Sequence, residues 1–252
     1  MSRVQIVPFT RARIIDGKSP RSGMPRRFRV LLGPNPHQIR GSLDDSRMPQ
    51  AYLVEFGPGD ELAPHFHTVD QFQVVVWGDG GIGKHAITGL TVHYADAYTP
   101  YGPVRIGAAG AGYYTVRSRP DSGAYRMPES RALLRRAARR SLVWDLPQAP
   151  APTSGAVSTE VGFPEQNDGV AASRLIAPPG VAVTGGDSPG GGGAFSIVVR
   201  GSAVIDGERL GLHSCIHAAP DEPAPAMVAG DEGVELLVLR FAPVSDRSEG
   251  ST

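Results

Sequence analysis

Two histidines stand one residue apart in the stretch PGDELAPHFHTVDQFQVVVWG, Pro58 to Gly78, in a chain that holds only seven. Alternate side chains of an extended strand share a face, so His65 and His67 point one way and Phe66 the other. After a turn at Thr68-Val69-Asp70, a second strand groups Gln71, Gln73 and Val75 on one face and Phe72, Val74 and Val76 on the opposite, dry face. Two neutral imidazole nitrogens and an amide oxygen from neighbouring strands suit Fe, Zn, Ni, Cu or Mn, with positions left for substrate.

A second group lies in HYADAYTPYGP, where alternation separates His93 from Tyr94, Asp96 and Tyr98. Asp96 has the chemistry of a general base or of a carboxylate that orients a histidine. The plainer role is to fix the turn before Pro100, with the tyrosines packed at a barrel mouth. His213, Cys215 and His217 also alternate onto one strand face. Ligands on one strand leave the outer pair about 13 Å apart, too far for a compact tetrahedral site, so these read as core or surface residues. Cys215 has no basic neighbour in sequence to activate it. As the single cysteine it excludes an internal disulfide and suits a reducing compartment.

Strands must hold these groups. AYLVEF, QFQVVVW, YYTVR, FSIVVRG, SAVIDG and VELLVLRF are short apolar runs bounded by PG, GDGG, DG and GDEG, the pattern of an all-β sandwich or barrel. The 32 glycines and 23 prolines favour tight turns over a helical bundle. One segment, Pro128 to Leu142, reads as a helix, with Pro in its first turn, Glu129 at the N-terminal dipole and a stripe of Leu133, Leu134 and Ala137. LPQAPAPTSGA then reads as a linker near residues 147–156.

The two sides of that linker repeat. FQVVVWG (Phe72 to Gly78) matches FSIVVRG (Phe195 to Gly201), Pro58-Gly59 matches Pro179-Gly180, and His93 and His213 each stand seven residues before a proline. Four anchors in one order predict a duplicated β domain. The expected division is a site-bearing domain over 1–125, a helix and linker over 126–156, a second domain over 157–243 and a disordered tail over 244–252.

Gly59, His65, His67, Gln71 and Gly78 are spaced by five, one, three and six residues. This resembles the first motif of the cupin superfamily, which has Glu where this chain has Gln71. With the duplication, the chain resembles a bicupin, and the resemblance implies two tandem double-stranded β-helix barrels with one helix near the junction. TPYGPVR resembles the second cupin motif, with Arg105 at the place of the last ligand histidine. A guanidinium about 5 Å from a dication would repel it by roughly 6–7 kcal/mol at an effective dielectric near 20. Three arrangements are open: His93 supplies the missing ligand, Arg105 clamps a substrate anion beside a three-ligand metal, or the pocket holds no metal. In the second half, Ser188 and Gly190 fall where His65 and His67 stood, which implies a degenerate barrel. Its glycine-rich TGGDSPGGGG lacks the Lys and Ser/Thr of a P-loop.

The formal charge is zero, so no overall field recruits nucleic acid or an anionic membrane. Arg131, Arg135, Arg136, Arg139 and Arg140 cluster, but without aromatic partners, and read as a solvated helix face. No run reaches the length of a membrane span and the N-terminus has no signal-peptide pattern, so a cytoplasmic protein is expected. The function expected from the resemblance is a metal-dependent oxidoreductase of the dioxygenase type on a small, anionic organic substrate. Iron leads the metals, Arg105, Asp96 and Tyr98 serve the substrate, and His65, His67, Gln71 and His93 hold the ion. The alternatives are an isomerase or lyase on the same fold, or a non-catalytic small-molecule binder. The resemblance also suggests a homodimer.

Overall fold

A computed structural model of the chain describes residues 4–19, 22–34, 48–121, 123–135, 139–148, 155–186 and 191–243. Its strands fall into two compact units, Arg11–Pro150 and a second made of Met1–Thr10 with Ala151–Thr252. Every strand pairing is antiparallel. No helix among the described residues is long and apolar enough to cross a membrane.

In the Arg11–Pro150 unit the sheet runs Ser141–Asp145, Thr91–Ala95, Gln71–Ile82, Val104–Arg117, Gln50–Phe56, Pro25–Leu32, Arg13–Lys18. In the other unit it runs Val4–Val7, Cys215–Ala218, Ala194–Ile205, Ala226–Arg240, Ala171–Ala177, Ser158–Phe163. Each unit closes on its own apolar interior. One includes Phe28, Val54, Phe56, Val75, Val104 and Ile106. The other includes Val198, Ile205, Leu210, Ile216, Met227 and Leu236. Burial of such side chains supplies most of the drive to fold.

The expected repeat is present at the level of register, except that His93 corresponds to Ile216 and not to the expected His213. Phe72 pairs with Tyr94 and Val116; Phe195 pairs with His217 and Leu239. Each member of the second trio lies 123 residues after its counterpart. The glycine that closes each motif also has a physical reason. Gly78 and Gly201 have φ of +98° and +68°, and a Cβ there would drive into the carbonyl oxygens of Gly110 and Gly233. Only glycine takes that backbone conformation and that approach together.

The expected helix over Pro128–Leu142 does not form among the described residues. A single 3₁₀ turn, Arg131–Leu133, stands there, Leu134 is extended, and Ser141–Asp145 is a strand. The edge of Thr91–Ala95 offers unpaired backbone groups, and Ser141–Asp145 satisfies them residue for residue. Leu133, meant for the buried stripe, is 55% exposed. Tertiary pairing has overridden a helical propensity worth only tenths of a kcal/mol per residue. Arg136 lies outside the described residues.

Candidate functional site

A cavity of about 420 Å³ lies in the Arg11–Pro150 unit, within the range of small-ligand sites. Its polar lining includes His65, His67, Gln73, Thr115, Arg117 and Asp121, with Ser19, Glu61 and Arg126 beside them, and its apolar wall includes Phe28, Tyr52, Val54, Phe56 and Tyr113. Arg26 also lines it, already paired with buried Asp60 at 2.7 Å.

His65 and His67 are buried, their ring centroids 5.2 Å apart and edge to face. Their backbone is positioned from two sides. His65 exchanges hydrogen bonds with Tyr101 of the TPYGP hairpin, 3.1 and 3.0 Å, and pairs in a short ladder with Arg126. Each ring is anchored through Nδ1: His65 donates to the Ala63 carbonyl at 2.7 Å, and His67 donates to the Asp121 carboxylate. A carboxylate or carbonyl that takes one ring N–H leaves the other nitrogen with a lone pair, so both Nε2 atoms are bases or ligands. Burial, then the neighbouring His67, holds His65 down to about 3. Burial, then the Arg117 charge, holds His67 down to about 4. Both are neutral at pH 7. Burial pushes the Asp121 carboxyl up, but the hydrogen bond from His67 and the Arg117 charge outweigh it and hold the group well below the usual range.

Arg117 is the residue that the sequence reading missed. It is 2% exposed, and donates from Nε and Nη2 to Gln71 Oε1 (3.1 and 2.9 Å) and from Nη1 to Gln50 Oε1 (2.8 Å). Its Nη2 lies 3.2 and 3.4 Å from the two ring nitrogens of His67. Among the described residues no carboxylate comes within 4 Å of it. Gln71 is thereby spoken for: its oxygen faces Arg117 and its amide nitrogen donates to the Tyr101 hydroxyl at 2.5 Å.

Arg105 stands elsewhere. Its side chain is 58% exposed and pairs with Glu61 at 3.5 Å. The reason is a change of face along Val104–Arg117. Val104 and Ile106 point into the core, and so do Ala111 and Tyr113, which have the opposite parity. The register shift between Ile106 and Ala111 inverts the alternation. Arg105 therefore falls outside, while Thr115 and Arg117 face the cavity.

The remaining expected site residues sit outside the cavity lining. His93 uses both nitrogens, 2.9 Å from Gln73 Oε1 and 3.0 Å from Ser141 Oγ. Asp96 accepts from Tyr94 at 2.9 Å and from Arg140, including its backbone N–H at 2.7 Å, and so pins the Ser141–Asp145 strand to the barrel. Tyr98 lies against Phe66, with the Arg135 guanidinium over its ring.

In the second unit, His213 precedes the Cys215–Ala218 strand at φ +67°, so the expected single face of three does not form. Burial pushes the Cys215 thiol up to about 12. Ser188 and Gly190 lie outside the described residues.

Against a metal centre the donor set falls short. His65 and His67 fit two positions, but no third His, Cys, Asp or Glu among the described residues joins them. Gln71 and His93 are committed elsewhere, and the Arg117 guanidinium lies against the His67 ring, 3.2 and 3.4 Å from its two nitrogens.

No family model matches the chain, and no curated protein does. Solved structures do. A candidate dioxygenase from Nostoc punctiforme superposes with a TM-score of 0.66 at 13% identity, over 98% of this chain and 85% of its own. The pirin YhhW of Escherichia coli, in complex with nickel(II), gives 0.58 at 12%, over 96% and 100%. A variant of Bacillus subtilis oxalate decarboxylase gives 0.55 at 12%, over 95% and 78%. The likeness is one of fold: over nearly its whole length the chain shares the β-barrel architecture of these proteins, as the resemblance to a bicupin implied.

Proposed function

We propose that the Arg11–Pro150 barrel binds a small organic acid, with Arg117 as the group that receives its carboxylate. The supporting observation is Arg117 itself: a buried cation that lines the cavity and donates only to neutral partners. Asp121 compensates its charge from across His67, but the Asp121 oxygens are taken by His67 and Thr68, which leaves a ligand carboxylate as the direct complement of the guanidinium. Guanidinium also offers one N–H more than Gln50, Gln71 and His67 use. The neutral His67, oriented by Asp121, stands beside the bound group as a proton acceptor.

Titration of the full chain with formate, acetate, oxalate and benzoate, read by calorimetry and thermal shift, tests this. At least one acid is expected to bind one to one, and Arg117→Met to weaken it about 30-fold, the value of a hydrogen bond to a charged group near 2 kcal/mol. Arg105→Ala is expected to leave binding unchanged. Acid binding indifferent to Arg117→Met would sink the assignment.

A second function is favoured by one specific feature, the two Nε2 lone pairs left by anchored Nδ1 groups. A metal held there would make the chain a metal-dependent oxidoreductase of the dioxygenase type, with iron the first expectation. The E. coli pirin holds nickel(II) and B. subtilis oxalate decarboxylase has Mn(II) centres. Near-stoichiometric metal in tag-free protein, lost in His65→Ala, would support it.

A further inference from the structure

A cation already stands beside the histidine pair. Arg117 Nη2 lies against the His67 ring, 3.2 and 3.4 Å from Nδ1 and Nε2, and 2.9 Å from Gln71 Oε1, an oxygen that would otherwise be offered to a metal. We infer that Arg117 is the resident cation of this barrel, a fixed guanidinium in the place of a divalent ion, supplying positive charge without metal.

Three contacts hold it there. Nη1 donates to Gln50, which is itself fully buried. The guanidinium carbon lies 5.9 Å from the Tyr52 ring centroid. Gln71 cannot turn its oxygen away without losing the bond from its amide nitrogen to the Tyr101 hydroxyl. A glutamate at 71 would offer anionic oxygens to either cation. The neutral glutamine instead donates to Tyr101 and accepts from Arg117, an arrangement complete without an ion. A dication and a guanidinium cannot share this place, because like charges at such range in a buried site repel strongly. The site has one vacancy for positive charge, and the chain fills it.

This goes beyond acid binding and fails separately from it. The test uses tag-free full chain titrated with Ni(II) and with Mn(II) by calorimetry. Wild type is expected to show no one-to-one uptake at the histidine pair. The double variant Gln71→Glu with Arg117→Met supplies a carboxylate and removes the positive charge beside His67, and is expected to bind Ni(II) at least roughly 100-fold more tightly. Arg117→Gln, which keeps side-chain donors toward Gln50 and Gln71, covers the case in which the double variant does not fold, with an expected gain of about 10-fold. Wild-type uptake of one Ni(II) that disappears in His65→Ala overturns the inference. So does a folded double variant with wild-type affinity, since the donors would then not converge where the guanidinium stands. Acid binding that EDTA abolishes and metal restores overturns it as well. If no acid binds at all, the organic-acid function falls, while the metal titrations still decide the role of Arg117.

Discussion

At equivalent places in the register, the Arg11–Pro150 barrel carries Gln50, Gln71, Gln73, Thr115 and Arg117, and the other barrel carries Ala171, Ala194, Ser196, Val238 and Arg240. His93 has become Ile216, and Tyr94 has become His217. Arg240 keeps the residue type of Arg117 but not its environment: it is half-buried and pairs with exposed Glu165 at 2.7 Å. The apolar frame and the paired glycines are common to both barrels. Both barrels also bury polar groups, but they satisfy them differently: in the second, buried Arg174 is matched by the carboxylates of Glu160 and Glu235, whereas in the first Arg117 donates to the neutral Gln50 and Gln71 beside a cavity.

The edges differ as well. Ser141–Asp145 covers Thr91–Ala95 in one barrel, and Val4–Val7 covers Cys215–Ala218 in the other. The second cover comes from the opposite end of the chain, which is why residues 1–10 cluster with the C-terminal unit.

The glycine pair gives the strongest way to break the comparison. Gly78→Ala and Gly201→Ala should each destabilise their own barrel by about 3 kcal/mol or more, through left-handed backbone and collision with a carbonyl. Urea unfolding checks this, with a useful asymmetry: both tryptophans, Trp77 and Trp144, lie in the Arg11–Pro150 unit, so their fluorescence reports one barrel while circular dichroism reports both. Equal loss of the fluorescence transition in the two variants would contradict the division into two frames.

Acid should separate the barrels next. Burial holds His65 at about 3, and His67 and His93 at about 4, in one barrel, against His217 at about 4 in the other. A depressed histidine is neutral when folded and binds a proton more readily when unfolded. Its stabilising share is therefore complete above pH 6.5 and is lost as pH falls from 6.5 toward 4, by at most about 1.4 kcal/mol per pH unit and residue. Three such groups against one predict that the tryptophan-reported urea midpoint falls more steeply than the dichroism midpoint between pH 6.5 and 4.5. Parallel curves would show that the polar interior is not buried in solution as it is here.

The smallest effect sharpens the contrast between the arginines. Arg240→Met removes a partly exposed ion pair and should change stability by no more than about 0.5 kcal/mol and acid binding not at all. A loss of binding comparable to that in Arg117→Met would move the site to the other barrel.

Much of this was legible before any coordinates. The strand runs, the duplication and the closing glycines follow from period-two alternation and turn chemistry, which are local. His65 and His67 were legible as a pair because their spacing puts both on one face of one strand. Asp121 was not, since it reaches His67 across 54 residues of sequence. Arg117 had a faint signal, an arginine in parity with Tyr113 and Thr115 on a strand that reads YYTVR. Asp96 and His93 were legible as polar residues on strand faces, but not as structural ties to Ser141–Asp145.

The sequence by itself determined an all-β chain of two related halves and the pair of histidines that share a strand face, because side-chain alternation and glycine-dependent turns act over a few residues. Only the tertiary structure decided which guanidinium enters the barrel. A bulge between Ile106 and Ala111, where Gly110 takes a φ of +75°, exchanges the inside and outside of one strand, turning Arg105 to solvent and Arg117 toward the imidazoles, an inversion that strict alternation of side chains does not carry.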